Sequence, residues 1–208
     1  MTDPTLIPDG ILWYAARGAG VASLLLLTGS VTLGALLGGG WRTAGWPRIL
    51  TGRLHRNLSL LALTFLGLHV GTAVLDPYTA LGPLAALIPF AVDYEPFWLG
   101  LGVVALDLAL AVVATSLLRR HIGVRAWRAV HWLSYGAWTV AVVHGIGIGT
   151  DATTIWMELV VTGCVALVVG VTAWRALAEP PAPIMRPMTP EGAVAQPTRG
   201  VAARPEAS

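Results

Sequence analysis

Lysine is missing from this chain: all 13 basic residues among its 208 are arginine. Cysteine occurs once, as Cys164, which excludes an internal disulfide and any iron–sulfur or metal site built from several thiolates. Charge of either sign is scarce. Asp, Glu, Lys and Arg make up 12% of the residues while 55% are hydrophobic, whereas a soluble domain is about one-quarter charged. That balance excludes a water-soluble enzyme and leaves no basic surface for nucleic acid. The chain reads as an integral membrane protein, and its net charge of +2 says little, because the charges are divided between the two sides of the bilayer. The opening MTDPTLIPDG has two aspartates and no basic residue, and the apolar run after it is too long for a leader's core. The first run is therefore expected to stay as a membrane helix.

Five apolar runs are long enough to cross, over residues 12–38, 53–75, 97–118, 126–149 and 154–177. The expected fold is all-α: a polytopic transmembrane helical bundle of five spans. Residues 1–11 form a short external segment, 12–177 the membrane domain, and 178–208 a cytoplasmic tail rich in Pro, Ala and Arg, expected to be disordered. Loop charges alternate. Arg42, Arg48 and Arg53 precede the second span, Arg119, Arg120 and Arg125 precede the fourth, and Arg175, Arg186, Arg199 and Arg204 end the chain. Asp3 and Asp9, then Asp76, Asp93 and Glu95, then Asp151 mark the opposite side. The positive-inside rule puts the N-terminus outside and the C-terminus in the cytoplasm, in a bacterial inner or plasma membrane. TALGPLAALIPFAV (79–92) is apolar but short and holds two prolines, so it is expected as a surface helix or a cap over the outer end rather than a sixth span.

Four histidines organise the apolar sequence. His55 and His69 lie 14 residues apart in RLHRNLSLLALTFLGLHVGTAVLD, and His131 and His144 lie 13 apart in RAWRAVHWLSYGAWTVAVVHGIGIGTD. At ~1.5 Å per residue each pair spans about 20 Å. Both helices start from a basic loop, so they run parallel. His55 and His131 then share the cytoplasmic level, and His69 and His144, each seven residues before an aspartate, share the outer level. Imidazole is rare in lipid and needs a partner there. Facing imidazoles at two depths point to two stacked b-type haems, each with two axial nitrogens and no open coordination site, a state suited to passing electrons. The competing readings are hydrogen-bonded structural histidines, a proton relay or a non-haem metal. One feature fits poorly: 14 residues return to nearly one helix face, whereas 13 leave the second histidine well round the helix.

On these histidines the chain resembles the ferric reductase-like transmembrane domain, a family that includes ferric reductases, the membrane part of NADPH oxidases and the haem-binding membrane subunit of a bacterial methionine sulfoxide reductase system. The resemblance covers residues 12–177. It implies that His55, His131, His69 and His144 are the axial ligands of two haem b groups. Members often have six spans, against five here, and many carry a cytoplasmic flavin and nicotinamide domain, against only the short tail here. The resemblance therefore implies the haem-carrying membrane subunit of an oxidoreductase. Its electron donor is expected to be a separate cytoplasmic flavoprotein reductase or a quinol, and its acceptor to lie outside. The alternatives are a quinol-linked cytochrome b subunit of a respiratory complex and a haem-free transporter or assembly factor.

Several other polar and aromatic residues are candidates for roles beside the histidines. Arg17, a turn or two below the outer surface, needs a counter-charge, and a haem propionate would serve. Asp107, in mid-span, could pair with Arg17, accept a hydrogen bond while protonated, or move protons. Glu158 is interfacial. Arg53, Arg56, Arg125 and Arg128 flank the inner histidines; their first role is topological, with inner propionates or an acidic donor as further partners. Trp127, Trp132 and Tyr135 are interfacial anchors that could also pack on a haem. His121 is a surface residue and Cys164 a packed thiol. GLGVVA (100–105) lies in an apolar helix, where its glycines serve close packing rather than dinucleotide binding.

Overall fold

The computed structural model describes residues 10–177 except 42, 44, 78–80 and 83–85; the tail from 178 and the segment 1–9 lie outside the described residues. Among the described residues six helices succeed one another: α1 (Ile11–Gly38), α2 (Arg48–Leu75), α3 (Pro96–Leu117), α4 (Arg119–His131), α5 (Leu133–Ile148) and α6 (Ile155–Leu177). No strand occurs among the described residues. Helix is what an apolar chain must form in lipid, because it satisfies each backbone N–H and C=O within one segment. Four helices, α1, α2, α3 and α6, are each long and apolar enough to cross a membrane.

The fourth expected span is divided. Gly123 leaves the helical region at φ 78°, ψ 161° and sets Arg119–Ile122 apart from the remainder of α4. Beyond it, α4 and α5 are separated only by Trp132, whose own φ −63°, ψ −23° are helical. The Tyr135 N–H bonds to the Trp132 carbonyl at 3.2 Å, a three-residue step. Such a step turns the chain by about 120° per residue instead of 100°. It swings the later residues towards the side that His131 occupies and eases the 13-residue misfit.

The outside of the bundle is apolar and the inside is small and partly polar. Leu25, Leu60, Leu68, Leu110, Leu159 and Val169 face outwards, where acyl chains would cover them. The buried positions of α1 are Ala19, Ser23, Thr28, Ser30, Val31 and Ala35. Small residues let backbones approach, and their hydroxyls bond across helices. Ser23 Oγ donates to the Ala62 carbonyl of α2 at 3.1 Å, and Trp138 Nε1 of α5 donates to Thr28 Oγ1 at 2.9 Å. Cys164 is buried with Val31, Trp138, Val142 and Val168, joining α1, α5 and α6. Helix α1 packs most extensively on α2 and also meets α5 and α6, while α3 packs on α5.

These contacts fix directions. Ala16, near the start of α1, meets His69, near the end of α2, while Ser30 meets His55, so α1 and α2 are antiparallel. Trp98, at the start of α3, meets His144, near the end of α5. Arg17 of α1 pairs with Asp151, just beyond α5. Both α2 and α5 thus run against α1 and therefore parallel to each other, as the loop charges require.

Candidate functional site

The four histidines form two facing pairs. The His55 and His131 ring centroids are 6.2 Å apart with planes at 77°, and those of His69 and His144 are 6.3 Å apart at 76°. With His55 and His69 14 positions apart on α2, the two levels lie about 21 Å apart along the helix.

Three imidazoles are oriented by backbone. His55 Nδ1 lies 2.9 Å from the Ser30 carbonyl, His69 Nδ1 2.7 Å from the Ala16 carbonyl, and His144 Nδ1 2.8 Å from the Trp98 carbonyl. A carbonyl only accepts, so in each case Nδ1 is the donor, and in the neutral imidazole Nε2 is the nitrogen with the lone pair. A metal-ligating histidine is held in this way, with its second nitrogen fixing the tautomer and raising the basicity of the first. His131 differs. Its Nδ1 is buried without a hydrogen-bond partner, and its ring stacks on Trp127 at 4.9 Å and 28°.

The spacing of the pairs has a simple physical meaning. A metal–imidazole bond is about 2.0–2.1 Å, and a five-membered ring with bonds of about 1.33 Å has a radius of about 1.1 Å. Two rings on opposite sides of one ion therefore have centroids about 6.3 Å apart. Both pairs match that value, but each offers only two nitrogens. Among the described residues no group of three or more His, Cys, Asp or Glu could hold an ion. An ion between either pair would need its remaining ligands from a molecule that brings its own, such as a planar macrocycle.

There is room for such molecules. A cavity of about 2050 Å³ is lined by residues of all six helices, including all four histidines. A pocket for one drug-sized ligand reaches about 1,000 Å³, and this space is about twice that size. Most of its wall is aliphatic, including Leu24, Leu27, Leu63, Leu66, Val103, Leu106, Val113 and Val142. At the end nearer His55 and His131 it is rimmed by Arg48, Arg56, Arg119, Arg128 and Arg175. Of these, Arg119 lies over the Trp127 ring at 4.2 Å, while Arg175 lies over Trp132 at 4.6 Å and donates to the Tyr135 hydroxyl at 3.2 Å. Arg56 and Arg128 have no ion pair among the described residues. Arg53 lies in a separate shallow surface groove, and Arg125 and His121 are exposed away from the cavity.

At the end nearer His69 and His144, Arg17 lines the cavity, pairs with Asp151 and lies 4.1 Å over the Trp13 ring. Its protein counter-charge is thus Asp151 and not Asp107, which is exposed on the outward face of α3. Glu158 also lines this end. Of the segment expected as a cap, Leu81 and Ala86 line the cavity and Phe90 packs on Gly100 at the start of α3. The described part of 79–92 contains turns and no spanning helix.

A family described as ferric reductase like transmembrane component matches residues 19–142. The chain belongs to that family. No curated protein and no solved structure matches it. The matched stretch of this ferric reductase-like chain includes His55, His69 and His131 but ends two residues before His144. Geometry places His144, through its ring opposite His69 and its bond to Trp98. With four spanning-length apolar helices, this family member is a multi-pass membrane protein.

Sequence reasoning singled out the four histidines that face one another in pairs but not the carbonyls that orient three of them. A carbonyl acceptor leaves no side-chain signature, so only the fold reveals it. Trp127, read as an interfacial anchor that could also pack on a haem, stacks on the His131 ring.

Proposed function

We propose that this ferric reductase-like chain carries electrons across the membrane through two b haems, one between His55 and His131 and the other between His69 and His144. The observation that carries the reading is the pair of facing imidazoles at each of two depths, both at the spacing of two ligands on one ion. When bound, a bis-imidazole haem supplies a one-electron carrier with no site open for a further ligand.

The residues of the chain then have distinct tasks. The carbonyls of Ser30, Ala16 and Trp98 hold His55, His69 and His144 with Nε2 free. The aliphatic wall excludes water and lowers the local dielectric, which with the ligands sets the redox potential. Arg56 and Arg128 offer guanidinium groups to inner carboxylates, and Arg17 does so at the outer end, where it shares itself with Asp151.

The chain crosses five times, with α4 beyond Gly123 and α5 together forming the fourth crossing of a bacterial plasma membrane. The arginine-rich end faces the cytoplasm. Electrons enter there from a separate flavoprotein reductase or a quinol, and leave from the outer level to an external acceptor. The haem content of single-histidine variants tests the reading. His69→Ala and His55→Ala should each leave one haem per chain, with different midpoint potentials. If both variants kept the full wild-type content, the assignment of ligands would be wrong.

A further inference from the structure

The three carbonyls that hold histidines share one local feature. Each belongs to the residue four positions before a glycine: Ala16 before Gly20, Ser30 before Gly34, and Trp98 before Gly102. In an α-helix the carbonyl of residue i already accepts from the N–H of residue i+4, and one of its two lone pairs remains. The Cβ of residue i+4 tilts back towards the N-terminus and overhangs that carbonyl. A side chain there would stand where the imidazole approaches. A Cβ built on Gly102 would lie 2.6 Å from His144 Cε1, one on Gly20 3.0 Å from His69 Nδ1, and one on Gly34 3.3 Å from His55 Cε1.

The fourth corner breaks the pattern. Gly20 and Gly34 are 14 residues apart, like His55 and His69. The same step along α3 from Trp98 and Gly102 leads to Val112 and Ser116. Ser116 is not glycine, and its Oγ donates to the Val112 carbonyl at 2.7 Å while accepting from Trp127 Nε1 at 3.3 Å. His131, the histidine of this corner, is the one whose Nδ1 has no acceptor.

We propose that Gly20, Gly34 and Gly102 are positioning residues that open a backbone seat for His69, His55 and His144, and that Ser116 closes the fourth seat and leaves His131 the weakest donor of the four. The inference rests on the haem reading for its redox consequence, but the seats exist in the chain itself. The inner level therefore has one backbone-held imidazole and one held by stacking alone, whereas the outer level has two of the first kind. A ligand without its Nδ1 hydrogen bond is less basic and stabilises the oxidised metal less. This difference favours electrons on the inner haem.

Gly20→Ala, Gly34→Ala, Gly102→Ala and Ser116→Gly would be compared with Gly67→Ala and Gly163→Ala, where a new Cβ meets nothing within 4 Å. Readouts are the midpoint potential and low-spin signal of each haem, and the thermal midpoint of haem-free protein. The effect should rank Gly102 over Gly20 over Gly34, with the first two altering the outer haem and the third the inner. Ser116→Gly should lower the inner midpoint, opposite in sign to Gly34→Ala. In haem-free protein, Gly102→Ala should lower the thermal midpoint in the wild-type background and leave it unchanged in His144→Ala, where the ring is gone. Seat variants that match the Gly67 and Gly163 controls, a Gly102–His144 pair that is additive, or an unmoved inner midpoint in Ser116→Gly would overturn the proposal. A wild-type chain that binds no haem would defeat the functional reading alone, because the haem-free comparison still reports on the seats.

Discussion

Replacing Arg17 should cost more stability than replacing its partner Asp151, and the two losses should not add. The pair sits at the end of the bundle nearer His69 and His144 with side chains 29% and 26% exposed, neither fully hydrated nor fully dry. Two unit charges about 4 Å apart attract by about 4 kcal/mol at an effective dielectric constant near 20. Desolvation and side-chain ordering offset much of this, and fully exposed pairs retain about 1 kcal/mol or less. At this intermediate burial the coupling should be about 1–2 kcal/mol. Arg17 also lies 4.1 Å over Trp13, a cation–π contact that contributes about 0.5–2 kcal/mol. Asp151→Ala leaves that contact in place, so Arg17→Ala should be the more damaging change by about 1 kcal/mol. The assay is a double-mutant cycle read by denaturant unfolding of the detergent-solubilised protein. A coupling below about 0.3 kcal/mol, the limit within which distant sites add, would refute the ion pair and free Arg17 for other carboxylates.

Trp138→Phe and Thr28→Val each remove the buried bond between α5 and α1, and each should lower stability by about 0.6–2 kcal/mol. Combined, they should cost less than their sum, which unfolding midpoints will show. Trp127→Ala removes the ring stacked on His131; it should change the midpoint and spectrum of the inner haem and leave the outer haem as it was. Cys164→Ser puts a hydroxyl into the cluster of Val31, Trp138, Val142 and Val168 and should cost about 1–3 kcal/mol. The native thiol should resist maleimide until the bundle is unfolded.

The membrane class, the parallel run of α2 and α5 and the level of each histidine were legible because they rest on hydropathy, arginine placement and spacing along a helix. The pairing of Arg17 was not. In the sequence Asp107 and Asp151 are both candidates, and only the packing of α1 against the end of α5 brings Asp151 to it while turning Asp107 outwards. The 13-residue interval was a difficulty because ideal α geometry does not hold through Trp132, where the chain takes a tighter step. The glycines at 20 and 34 were in plain view at the interval of the histidines. Their meaning depends on which helix faces which, and a glycine in an apolar run reads first as a packing residue.

The central claim is tested most directly by a dithionite-reduced minus oxidised visible spectrum of the purified chain, with haem quantified per polypeptide. Two haems per chain with sharp low-spin b-type bands are the predicted result. Colourless protein after expression with ample haem would contradict the account and return the histidines to a structural role.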